Sequence, residues 1–100
     1  MPEALTLEFN GVSEADYEAV NKQLGIDMRT GQGDWPAGLL SHAAGMADDG
    51  LFIVSEVWSS RTAQESFLAS RLGPAFAAAG LTAAPAIRWV PLLAYHRPDA

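Results

Sequence analysis

Between Gly38 and Trp58 two apolar runs are separated by Asp48-Asp49-Gly50, and that interruption constrains the fold more than any other stretch. Gly38-Leu-Leu-Ser-His-Ala-Ala-Gly45 precedes it, and Leu51-Phe-Ile-Val-Ser-Glu-Val-Trp58 follows it. Two strands joined by a tight turn are the direct reading. Asp-Asp-Gly suits a hairpin loop with both Asp residues in right-handed turn conformations and Gly50 in the left-handed position as a bulge. The loop sets the register. With residues 48–50 as the loop, Ala47 faces Leu51 and His42 faces Glu56. A shorter Asp49-Gly50 turn would pair His42 with Val57 instead. We take the longer loop, which puts a carboxylate opposite His42.

The rest of the chain alternates strands with helices. Glu3 to Asn10 reads as a half-buried strand, with Leu5, Leu7 and Phe9 on one side and Thr6 and Glu8 on the other. Ser13 caps a helix whose first turn carries Glu14 and Asp16, where the helix dipole favours negative charge. Tyr17, Val20 and Leu24 share one face of it, and Gly25 ends it. Residues 26–34 read as a loop, with Arg29-Thr-Gly-Gln-Gly33 polar and flexible. No Gly-Lys-Ser/Thr follows, so this is not a phosphate loop. Trp35 reads as a lid over the core. In the third strand, Phe52, Val54 and Trp58 share a face with Glu56, while Leu51, Ile53 and Val57 share the other with Ser55. Both faces are apolar enough to need cover.

Ser59 or Ser60 caps the next helix, with Ala63, Phe67 and Leu72 inward and Arg61, Gln64, Glu65 and Arg71 mainly solvated. Gly73-Pro74 breaks it, and a short helix over Ala75 to Ala79 restarts with Pro74 in its first turn. The last strand spans about Ala86 to His96. Pro91 inside it removes one ladder donor and points to a sheet edge or a bulge.

Composition narrows the partners. One hundred residues make one domain, and 49% apolar against 18% charged residues describe a globular chain. The net charge of −6 argues against nucleic acid and anionic membrane. No apolar run spans a bilayer, and no signal-peptide pattern opens the chain. The absence of cysteine excludes disulfides and a thiol nucleophile, and fits a cytoplasmic location.

Strand, helix, strand, strand, helix, strand is the order of an α+β, ferredoxin-like βαββαβ antiparallel sheet with helices on one face. The helices cover only that face. A second copy, packed sheet to sheet, is the simplest cover for the other, so a homodimer is expected. Val57-Trp58-Ser59-Ser60, the helix through Phe67, Arg71-Leu72-Gly73-Pro74 and the Ala-rich turn after it resemble the dimeric α+β barrel superfamily. The resemblance is to its antibiotic-biosynthesis-monooxygenase-like branch of small actinobacterial proteins. It implies one of several activities: cofactor-independent oxidation of polyaromatic substrates, haem degradation, or none assigned. The residues of the haem-degrading members do not carry over. Phe67 stands where they have a tryptophan, Ala77 where they have the axial histidine, and Leu5 or Thr6 where they have an asparagine.

His42 and Glu56 are the candidate catalytic pair: opposed on adjacent strands, the carboxylate orients the imidazole as a base. The competing reading is a polar pair that closes a sheet or dimer interface. Phe52, Trp58, Phe67, Trp89 and Tyr95 are the candidate lining for a small apolar or aromatic ligand, with the hydrophobic core as the competing reading. His96 reads as a surface residue. No cofactor and no metal site are expected, since the spacing of His42, Glu56 and His96 does not suit zinc. No serine sits in a Gly-x-Ser-x-Gly elbow. Three functions stand open: an apolar-ligand binder, a cofactor-independent monooxygenase with His42 as base, and a non-catalytic dimerisation module. A cavity beside His42 favours the enzyme; a fully packed sheet favours the module.

Overall fold

The computed structural model describes residues 2–99. Its elements follow the expected order: β1 (Glu3–Phe9), α1 (Glu14–Leu24), β2 (Leu39–Met46), β3 (Phe52–Trp58), α2 (Arg61–Phe67), a π-helical turn (Leu68–Leu72), α3 (Gly73–Ala78) and β4 (Ala86–Pro91). The strands form one antiparallel sheet in the order β2-β3-β1-β4, which is the ferredoxin-like arrangement. Among the described residues, no helix is long and apolar enough to cross a membrane.

The β2–β3 hairpin closes over the longer loop. Ala47 N–H donates to the Leu51 carbonyl at 2.8 Å, Gly50 N–H donates to the Ala47 carbonyl at 2.9 Å, and Gly50 is left-handed at φ 89°. His42 therefore faces Glu56. A bulge at Leu40 interrupts the ladder, since Leu39 pairs with Trp58 but Ser41 with Val57. The extra residue turns both Leu39 and His42 toward the helices, although they are three positions apart.

The helix-covered face holds the core. Leu5, Leu7 and Phe9 of β1 and Phe52, Val54 and Trp58 of β3 meet Val20 and Leu24 of α1 and Phe67 of α2. Glu56 and His42 point to this same side. The open face presents Ile53, Ser55 and Val57, flanked by Thr6 and Glu8 on β1 and Ser41 and Ala43 on β2. It is thus more mixed than β3 alone suggests, because the large aromatic side chains of that strand all turn inward.

Helix ends follow the local chemistry. Ser13 Oγ accepts from Asp16 N–H at 3.1 Å while Asp16 Oδ2 accepts from Ser13 N–H at 2.9 Å, a reciprocal cap on α1. Gly25 ends α1 in the left-handed conformation. Ser60, not Ser59, caps α2 through Ala63 N–H.

Three expectations are corrected. Gly73-Pro74 does not break the helical path. The π turn widens it, Gly73 N–H reaches the Leu68 carbonyl, and Pro74 enters α3 in its first turn, where its missing donor costs nothing. A side chain at Gly73 would lie 3.0 Å from that same Leu68 oxygen, so glycine permits the close approach. Second, β4 ends at Pro91 rather than His96. One further ladder bond, Leu92 N–H to the Pro2 carbonyl, closes the edge, and Leu93 beyond it is 95% exposed. Third, Gln64 and Arg71 are not simply solvated: Gln64 is buried, and Arg71 clamps a loop described below. Arg61 is exposed as expected, although it pairs with Glu3 at 2.7 Å and lies over the Trp89 ring.

Candidate active site

The site grows from the hairpin register. His42 Nδ1 lies 2.7 Å from Glu56 Oε2, and Trp58 Nε1–H donates to Glu56 Oε1 at 2.9 Å. A carboxylate only accepts, so the imidazole proton is assigned to Nδ1 and the lone pair to Nε2. The Tyr17 hydroxyl on α1 lies 2.6 Å from that Nε2 and donates to it. Trp58, Glu56, His42 and Tyr17 thus form one hydrogen-bonded chain from the centre of the core to its edge. Trp58 has no exposed surface, whereas the Glu56 and His42 side chains keep 10% and 17% of theirs. Polarity along such a chain is set at the buried end: Trp58 and His42 occupy both carboxylate oxygens, so Glu56 cannot turn away.

Burial pushes the Tyr17 hydroxyl above its ordinary value of 10, the nearby Asn21 amide works the other way, and the Glu56 carboxylate pushes it up again. At neutral pH Tyr17 therefore carries its proton and can give it to His42.

Trp35 closes the site from the loop side, its ring centroid 5.3 Å from that of His42. The loop before it is tied rather than flexible. Asp27 Oδ1 accepts from Arg29 and Thr30 N–H, Asp27 N–H donates to the Gln32 carbonyl, and the Trp35 indole N–H donates to the Gly31 carbonyl at 2.7 Å. Those two backbone donors hold the exposed Asp27 carboxyl below the usual carboxylate range. Arg71 reaches across from the π turn to the carbonyls of Leu24 at 3.0 Å and Asp34 at 2.6 Å. It locks the loop to the end of α1.

Two spaces meet at this cluster. An apolar cavity of about 60 Å³ lies between sheet and helices, lined by residues such as Val12, Val20, Leu24, Val54 and Phe67. An open groove of about 510 Å³ runs outside it along β2, past Met28, Ala44 and Met46. Tyr17, Asn21, Ile26, Trp35, His42 and Phe52 border both. The groove falls in the size range of small-molecule sites; the cavity is far smaller.

No family model and no curated protein matches the chain. Solved structures do. Rv0793 from Mycobacterium tuberculosis superposes with a TM-score of 0.67 at 19% identity, over 97% of this chain and 100% of that one. A candidate antibiotic biosynthesis monooxygenase from Chloroflexus aurantiacus J-10-fl gives 0.62 at 17% identity, over 96% and 98%. NE2512, a protein of unknown function from Nitrosomonas europaea, gives 0.62 at 21% identity, over 99% and 94%. The chain shares the ferredoxin-like α+β fold of these structures. At these identities the likeness speaks for the fold and not for an activity.

Within that fold the candidate residues separate. His42 and Glu56 come together. Of the five aromatic candidates, Phe52 and Phe67 line the cavity. The other three do not border it. Trp58 is sealed in the core against the Phe67 ring, Trp89 lies under the Arg61 guanidinium, and Tyr95 follows the end of β4. Trp35 borders the groove as well as covering the core. The sequence pattern alone does not mark Tyr17 and Asn21 as site residues. They sit four positions apart on α1, and a polar Asn21 beside inward-facing Val20 and Leu24 is the one readable signal.

Proposed function

We propose that this chain is a cofactor-independent monooxygenase that acts on a small aromatic compound with an acidic hydroxyl or methylene group. The observation that carries the reading is the Glu56–His42–Tyr17 chain at the wall between an apolar cavity and an open groove. A general base must reach its proton at hydrogen-bond distance or through one intermediary. Here Tyr17 is that intermediary. A ligand in the groove gives its proton to the Tyr17 oxygen as the Tyr17 proton passes to His42 Nε2. Glu56 stabilises the imidazolium that results. The ligand anion, shielded by Trp35 and Phe52, then reduces dioxygen. For an activated methylene, one methylene group and one dioxygen give one carbonyl group and one water: both C–H bonds break and the carbon is oxidised to the carbonyl. For a phenol, the O–H bond and one ring C–H bond para to it break, and the ring is oxidised to a quinone. One oxygen atom of the dioxygen enters the product, and the other leaves as water with the two hydrogens. The fold it shares with a candidate monooxygenase supports the reading without carrying it.

We also propose that two copies associate through the open sheet face, where Ile53 and Val57 are half-buried and no helix among the described residues covers them.

Anthrone, whose central methylene is acidic, tests the chemistry. The expected result is one dioxygen consumed per anthraquinone formed, with tryptophan fluorescence reporting binding. His42→Gln should still bind anthrone but not turn it over. Equal turnover by His42→Gln and the wild type would overturn the assignment of the base. Failure of the wild type to bind any aromatic probe would favour a non-catalytic module.

A further inference from the structure

Asn21 stands apart from every other polar side chain around the site. It is 5% exposed, its amide lies close enough to the Tyr17 hydroxyl to pull that group's pKa down, and among the described residues its Nδ2 makes no well-directed hydrogen bond. Buried amides without partners are rare, because the lost hydration is not returned by the protein. The α1 register explains why this one persists. It places Asn21 one turn beyond Tyr17, on the wall that the cavity and the groove share. A donor with no more than a poorly directed contact to Tyr17 therefore stands beside the hydroxyl that takes up and passes on a proton.

We propose that Asn21 is a specificity-determining residue that donates from Nδ2 to a carbonyl or other acceptor oxygen of the ligand, adjacent to the group whose proton passes to Tyr17. This rests on the aromatic-ligand reading above and narrows it. The ligand class becomes a hydroxy-carbonyl aromatic, in which an acidic O–H and a carbonyl oxygen lie side by side. The two halves of the recognition have opposite polarity. The Tyr17–His42 pair takes the proton of the O–H, and Asn21 donates to the acceptor. As the proton leaves, negative charge spreads from the hydroxyl oxygen onto the conjugated carbonyl, so the Asn21 contact strengthens as the anion forms. A phenol without the carbonyl leaves Asn21 unfilled, and a site built around a buried donor discriminates against such an analogue.

The structure also makes the opposite demand on stability. Asn21 meets apolar surroundings in the cavity, and an isosteric apolar side chain removes a buried donor that no described residue satisfies with a well-directed bond. Asn21→Leu should therefore fold at least as stably as the wild type while losing ligand discrimination. A residue kept for packing alone would show no such loss.

The experiment compares 1-hydroxyanthraquinone with 1-hydroxyanthracene as probes of equal ring size. Binding is followed by quenching of tryptophan fluorescence without oxygen, so that no turnover intervenes. The wild type should bind the hydroxyquinone at least about tenfold more tightly, the ratio expected for one buried hydrogen bond. In Asn21→Leu the ratio should fall to near one, chiefly through weaker binding of the hydroxyquinone. Asn21→Ala serves as a second variant should leucine crowd the site, with the same expected ratio. Equal binding of the two probes by the wild type, or a ratio unchanged in both variants, overturns the role of Asn21 and leaves the aromatic-ligand reading standing. Binding of neither probe by the wild type overturns both.

Discussion

Glu56→Gln probes the site most sharply, because it keeps the shape of the side chain and changes only which atoms donate. The carboxylate faces two donors, the Trp58 indole N–H at 2.9 Å and the His42 Nδ1–H at 2.7 Å. An amide offers one accepting and one donating end. Turned with its carbonyl toward Trp58, it presents N–H to His42 Nδ1. The imidazole must then move its proton to Nε2, and the lone pair that faces Tyr17 is lost. Turned the other way, its amide nitrogen abuts the Trp58 N–H, on a residue with no exposed surface. An orphaned buried donor costs about 1–3 kcal/mol. Both arrangements also exchange charge-assisted bonds for weaker neutral ones. The expected destabilisation is about 1–3 kcal/mol, or a Tm lower by roughly 5–20 °C for a chain of this size. Thermal unfolding followed by circular dichroism measures it. Nitrogen-15 correlation spectra of the imidazole distinguish the tautomers, with Nδ1–H expected in the wild type and Nε2–H in the folded variant. Anthrone turnover should be lost while binding persists. An unchanged Tm together with an unchanged Nδ1–H tautomer would refute the hydrogen-bonded chain on which the mechanism depends.

Other expectations follow from the same geometry. The Tyr17 hydroxyl has a folded value above 10, so its contribution to stability is fully present below about pH 10 and is lost as pH rises through the folded value. Urea denaturation at pH 8 and pH 10.5 should show the stability gap between wild type and Tyr17→Phe narrowing at the higher pH; a constant gap would mean that Tyr17 is not held protonated by its surroundings. Gly33 has φ +144°, and a methyl there would overlap the Gly25 carbonyl oxygen and lie 2.6 Å from Ile26 Cα. Gly33→Ala should cost at least about 2 kcal/mol and shift the Trp35 emission, since the same loop seats that ring beside His42. Unaltered emission and stability would show that the loop tolerates another path. Light scattering at micromolar concentration should give twice the chain mass, with an interface of about 1,200–2,000 Å² on the open sheet face. Ser55→Arg, in the middle of that face, should return the monomer mass. A monomeric wild type would remove the dimer.

Much of this architecture depends on local chemistry, and local chemistry is written in the chain. Asp48-Asp49-Gly50 determines the hairpin register, because only Gly50 takes the left-handed position cheaply, and the register alone sets His42 against Glu56. Ser13 with Asp16, and Gly25, delimit α1 for similar reasons. The expected break at Gly73-Pro74 failed because a π turn can absorb the missing donor when the surrounding helices hold the path, and propensity does not see that packing. Arg71 looked solvated because its partners, the carbonyls of Leu24 and Asp34, are distant in sequence. The site divides along the same line. Strand pairing and turn chemistry were enough to bring His42 and Glu56 together. Only the docking of α1 on the sheet decided that the Tyr17 hydroxyl meets His42 and that the Asn21 amide lies buried beside it. Whether a gap exists next to them depends on how side-chain volumes from several separate elements fail to fill the space between sheet and helices, and no stretch of sequence carries that sum.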